Sequence, residues 1–394
     1  MNTPSKTEPA TFPIQRYFLL GASLVIMLIF LASIFLFTSR DTAEPPIDPN
    51  MPKTDIVFLG PSSAPNPNIM RLTIETGHVQ KLTNVEDGVL EYTVSPDMQW
   101  IAYTRRVTGR ITDIWLLNIK TMQTIQLTNC REAQASCSTP SWRNDSQTVA
   151  YTRRELDPES GWAYTERVWL VDVASRQSRP LFDDFNVQGR YPVWSPTSAQ
   201  IAFSLIDPSG ILIYDFPSQE TLFIPSQQGL TGIFTPDGQQ FAYPALRFGQ
   251  ALQRYYTHIE LVKLPQFGAE TSDSPTVQRL SGELEAPIEE GQIAFHPIKP
   301  QAAIARRYLD SRYTQGNQLY LIDLNTKITT PLVVEADYNH AAISWHPTEN
   351  WLLYQRNAIE DTTHIELWLF NIDTNETQLI YDDGFMPKFL EQNP

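Results

Sequence analysis

The chain has 394 residues, a formal net charge of −15 and 11% aromatic residues. That length accommodates one large repeat domain or two ordinary ones. An acidic chain of this kind excludes general nucleic-acid binding, because phosphates must be met by a basic surface.

Residues 1–16 are polar, carry three prolines and read as a short cytoplasmic tail. Tyr17 to Thr38 contains no charge. At 1.5 Å rise per residue it spans about 33 Å, enough for a bilayer core. A single transmembrane helix is expected over 17–38, preceded by Lys6 and Arg16 and therefore oriented with the remainder of the chain outside the cytoplasm. A cleaved signal peptide is the alternative, but its apolar core is shorter and an A-x-A-like site should follow it. No cysteine lies near the span, which argues against a lipid-modified N-terminus. Residues 39–53 hold Pro45, Pro46, Pro49 and Pro52 and read as an extended linker.

From residue 54 to 394 one grammar recurs. Ser95, Arg143, Ser195, Thr235, His296 and His346 each follow an apolar residue and open a tight turn, usually with proline next. A strand follows each turn, with Tyr103, Tyr151, Phe203, Tyr243, Ile304 or Tyr354 at a constant offset. A hairpin completes each unit, as in WLLNIKTMQTIQL, its turn rich in Asn, Asp, Ser, Thr and Lys. The hairpin of the fourth unit carries a polar insertion, Gln266 to Pro275. The spacing of about 40 to 60 residues suits propeller blades.

Six complete units occupy 88–383. Before them, Asp55–Leu59, Ile69–Ile74 and Val79–Leu82 match the second, third and fourth strands of a unit. After them, GFMPKFLEQNP matches a first strand. The interval from Ile56 to Ile101 equals that from His346 to Leu390 within one residue, so a seventh blade shared between the chain ends closes the ring. The expectation is an all-β, seven-bladed propeller, with six blades the alternative; closure removes the exposed sheet edges.

The pattern Ser95-Pro96-Asp97, Ile101-Ala102-Tyr103 and Asp113-Ile114-Trp115 resembles the repeat of TolB-like propellers, which is related to WD-type repeats. The resemblance covers Thr54 to Leu390 and implies the fold. It leaves no room for the α/β domain that precedes the TolB propeller. The glycine usual in the turn is missing at Met98, Ser198 and Glu349. Prolyl-oligopeptidase-type propellers share the repeat, but their G-x-S-x-G hydrolase motif does not occur. Fold alone does not assign an activity.

Several residues are candidates for chemistry. Arg105, Arg153, Arg306 and Arg356 recur at one repeat position near the end of the second strand. Together they could bind an anionic ligand or acidic segment, since the guanidinium fork matches carboxylate. The alternative is pairing with local acids such as Glu155, Asp157, Asp310, Glu360 and Asp361. Trp162, Tyr164, Tyr255, Tyr256, Tyr308 and Tyr313 lie in or beside the following loops and suit a protein or polysaccharide partner. Cys130 and Cys137 are expected to form a disulfide in an exported domain. His296 and His346 cap their His-Pro turns, with no metal implied, because no third ligand is placed. Asp183-Asp184 and Asp382-Asp383 read as surface turns. No catalytic residue and no cofactor is assigned. The reading is a membrane-anchored binding scaffold of the cell envelope; an envelope hydrolase or lyase using funnel carboxylates is the alternative.

Overall fold

The structure is a computed structural model and describes residues 51–157, 159–160, 163–250, 253–269, 276–280 and 288–391. The apolar stretch 17–38 lies outside these. Among the described residues no helix is long and apolar enough to cross a membrane.

The described strands form seven four-stranded antiparallel sheets. Blades 1 to 6 are consecutive in sequence, over residues 89–126, 135–180, 189–225, 233–279, 288–333 and 338–381. Blade 7 takes its first strand from Phe385–Phe389 and the other three from Ile56–Gly60, Asn68–Thr73 and His78–Lys81. Ile56 pairs with Phe389 as Ile101 pairs with Val94 in blade 1, which is the register expected for a shared blade.

The second strand of each sheet is covered on both faces, which is why it reads as a continuous apolar run. In Ile56–Gly60 every residue is buried; Ile56 and Phe58 face blade 6 while Val57 and Leu59 face blade 1. The core is thus a set of slabs, one between each pair of neighbouring blades, including blades 6 and 7 and blades 7 and 1. The repeated large residue fills them: Tyr103, Tyr151, Phe203, Tyr243, Ile304 and Tyr354 are all 2% exposed or less.

Five of the six repeat anchors cap their own turn through the side chain, and Arg143 instead reaches Asp145. Ser95 Oγ accepts the Trp100 N–H at 2.9 Å and donates to Asp97. Thr235 repeats both bonds. In blades 5 and 6 the imidazole does the same work: His296 Nδ1 accepts from Ile298 and Lys299, and His346 Nδ1 from Thr348 and Glu349. His346 also joins the chain ends, with Nε2 2.8 Å from Thr54 Oγ1 and 3.0 Å from Glu391.

Cys130 and Cys137 are disulfide-bonded, across the connection from blade 1 to blade 2. The buried Asp113 carboxylate accepts the Cys130 N–H and the Thr128 hydroxyl and holds this corner. Burial pushes its pKa up, and those hydrogen bonds oppose the shift.

Candidate functional site

Antiparallel pairing sorts the connections between two faces. Second-to-third-strand loops and the links between blades lie on one face, here the loop face. First-to-second and third-to-fourth-strand turns lie on the other. Residue 54 enters on the turn face, because Ile56 occupies the register of Ile101.

The recurrent arginines sit near the loop face, opposite the start of the first strand: Arg105 pairs with Val89, Arg153 with Cys137, Arg306 with Glu290 and Arg356 with His340. Each guanidinium lies over an aromatic ring of the third strand. The distances to the centroid are 4.7 Å for Arg105 on Trp115, 4.2 Å for Arg153 on Trp169, 5.7 Å for Arg306 on Tyr320 and 4.0 Å for Arg356 on Trp368. This cation–π pair is a property of the repeat that pattern reading missed. Its signal was present, since in these four units the aromatic follows the Asp113-Ile114 type of position, whereas the two complete units without the arginine have Leu212 and Glu260 there.

Acids complete three of the four. Arg153 lies 3.6 Å from Glu155, as the local-pairing alternative expected. Arg306 is ion-paired to Glu290 at 2.5 Å, both side chains having no exposed surface. Arg356 is held by Glu335 and Glu366, each at 2.8 Å. Hydrogen bonds from His340 and Arg356 bring the Glu335 carboxyl down to about 2. Asp310 instead pairs with Arg312. Arg105 has no ion pair among the described residues, and its buried Nε lacks a hydrogen-bond partner. The four arginines are therefore built into the blades more than displayed.

The aromatic candidates separate. Tyr255 and Tyr313 are 60% and 57% exposed. Tyr255 meets Phe248 edge-on at 5.1 Å. Tyr256 and Tyr308 are buried, Tyr256 against His258 and Tyr308 beside Tyr320. The side chains of Trp162 and Tyr164 lie outside the description. Further exposed apolar residues join Tyr255 and Tyr313 on the loop face: Phe185, Ile206, Leu230 and Phe248. The turn face offers Met122, Ile298 and Ile328. No periodicity marks the loop residues, because loops differ in length from blade to blade.

The first strands carry a second device. Register slips interrupt them in blades 1, 2, 3, 5, 6 and 7. In four of these the bulge holds a residue at positive φ: Thr139, Tyr191, Ala342 and Met386. Each bulge N–H donates to a side chain of the preceding blade, respectively Glu91, Thr152, Gln292 and Gln355. Glu91 is the charged member, and burial raises its pKa. The first-strand aromatics Trp142, Trp194 and Phe234 are buried between blades, since alternate residues face the axis.

Asp184 and Asp383 occupy blade-to-blade links that are not neighbours in the ring. Asp184 caps Asn186, and Asp383 binds Ser62 and Ser63. They do not form a carboxylate pair.

No protein-family model matches the chain, and no curated protein matches it. Solved structures match in shape. TolB from Acinetobacter baumannii is 15% identical, with 86% of this chain and 66% of that one covered and a TM-score of 0.50. Oligogalacturonate lyase from Vibrio parahaemolyticus is 13% identical, with coverage of 77% and 83% and a TM-score of 0.57. Acylaminoacyl peptidase from Pyrococcus horikoshii is 16% identical, with coverage of 85% and 52% and a TM-score of 0.53. The chain spans just under two thirds of the TolB chain and about half of the peptidase. At these identities the likeness is one of fold: the β-propeller seen in TolB is shared with the lyase and the peptidase.

Proposed function

We propose that this chain is a membrane-anchored, extracytoplasmic propeller that serves as a non-catalytic binding scaffold at the cell envelope, with a protein segment as its partner. The observation that carries the reading is the concentration of exposed apolar and aromatic side chains on the loop face, where Phe185, Phe248, Tyr255 and Tyr313 are each more than 40% exposed. Such rings are the usual anchors of protein interfaces. The chain enters the propeller through residue 54, at the turn face. The paired arginines support a rigid platform rather than a catalytic centre.

The test is site-specific photo-cross-linking in cells. A photoreactive residue at Tyr255 or Tyr313 is expected to give a discrete protein adduct, while one at Met122 or Ile298 gives none. Equal labelling from both faces, or an adduct with polysaccharide only, overturns the assignment of the partner. Retention of the full chain in carbonate-washed membranes, and release of a chain starting at residue 54, checks the anchor separately.

A further inference from the structure

The first strands of blades 4, 5, 6 and 7 converge on an axial cavity of about 390 Å³. Its wall is apolar over most of its area, with Ile233, Ile293, Ile343 and Met386 contributing. Lys388 is the one charged residue in the lining. It lies in the last strand, Phe385–Phe389, and has no ion pair among the described residues. Lys388 is reached by solvent yet densely surrounded by protein, as befits a side chain inside a channel. In a chain of charge −15, where buried Arg306 and Arg356 have found carboxylates, an ammonium left in an apolar chamber stands out.

We propose that this cavity is a binding site for a small amphipathic carboxylate, whose apolar body packs on Ile233, Ile293 and Ile343 and whose carboxylate meets Lys388. The volume is within the range of small-molecule pockets and equals roughly a dozen waters of liquid. Such sites combine apolar walls with a few polar groups that fix orientation. Gln292 supplies a second group: its Oε1 is taken by the Ala342 N–H, which leaves the amide nitrogen as donor. One ammonium matches a monoanion; a phosphate dianion needs more donors and more charge, and an apolar cation is repelled. Desolvation holds the Lys388 pKa below its ordinary value, the direction expected of a cation that lacks an anion. The proposal stands apart from the loop-face reading and survives its failure.

The experiment compares three probes of one shape, 4-phenylbutyrate, 4-phenylbutanol and 4-phenylbutylamine, by calorimetric titration of the full chain in nanodiscs. The acid is expected to bind at least about tenfold more tightly than the alcohol, and the amine more weakly still. Lys388→Met should abolish the preference for acid while leaving alcohol binding, and Lys388→Arg should retain the preference. Ile293→Trp, which fills the chamber, should lose all three. Equal binding of acid and alcohol by the wild-type chain overturns the proposal, as does no binding at all. So does a preference that persists in Lys388→Met. If Lys388→Met does not fold, the wild-type comparison with Ile293→Trp decides alone.

Discussion

Arg306 and Arg105 hold the same place in the repeat but carry different loads. Arg306 neutralises Glu290, which is fully buried and also accepts the Ile259 N–H. Removing the cation strands a buried charge, so Arg306→Met is expected to cost about 3–5 kcal/mol. Arg105 rests on Trp115 with no carboxylate partner among the described residues. Arg105→Met should lose the cation–π contact and a hydrogen bond to the Tyr103 hydroxyl, about 1–2 kcal/mol in all. Urea unfolding of the two variants measures the difference; similar losses would show that the ring contact, not the acid, dominates. The recurrence of arginine was legible in the sequence. Of its partners only Glu155 was legible; Glu290 and Glu335 were not, because they reach their arginines from a strand pairing and a blade link that no local pattern encodes. His258 sets a second residue-scale expectation. Burial, with Arg279, Arg247 and Arg306 nearby, brings its pKa down to about 4. The unfolded chain takes up this proton near pH 6.5 and the folded one only near 4. Stability is therefore unaffected above pH 6.5 and falls as pH drops between the two, by up to about 3 kcal/mol. Unfolding measured from pH 7 to 4 should show this slope, and His258→Gln should flatten it.

At the scale of the element, the turn between first and second strands is solved in two ways. In blades 1, 2 and 3 its fourth residue is left-handed: Met98 at φ 57°, Ser146 at 59° and Ser198 at 62°, where blade 4 uses Gly238 at 70°. The His-Pro turns of blades 5 and 6 have no residue at positive φ. Met98→Gly removes a Cβ from a conformation that L-residues resist and should stabilise the chain by about 0.5–1 kcal/mol. Glu349→Gly, with no such strain to relieve, should not. Thermal unfolding of the pair checks this. The missing glycines were visible as a departure from the resembling repeat, and the structure shows the backbone keeping the shape without them. The bulges of the first strands were hidden for the opposite reason. Thr139, Tyr191, Ala342 and Met386 share a conformation but no residue type.

For the whole molecule, ring closure was the most legible feature, because it follows from counting strands and from the phase at both chain ends. Which residues face the axis was not, since inner strands as short as Ile233–Phe234 carry no readable alternation. Closure predicts a sharp dependence on the last strand. A chain stopped after Asp383 exposes the edge of Ile56–Gly60 and removes Phe389 from the cluster of Phe58, and Phe385 and Leu390 from that of Val57. Size-exclusion chromatography should find it aggregated, whereas removal of residues 392–394 should leave the ring intact. A monomeric, cooperatively unfolding truncation would show that six blades suffice.

The shared blade also has a mechanical consequence. Ile56–Gly60 is clamped between Phe385–Phe389 and Asn68–Thr73, and Thr54 is bonded to His346 and Glu391 just ahead of it. Tension applied to the chain at residue 54 along the strand axis loads these hydrogen bonds side by side and must shear them together. A terminal hairpin would instead peel open one bond at a time. The strand through which the propeller would be tethered is thus among the hardest to pull out.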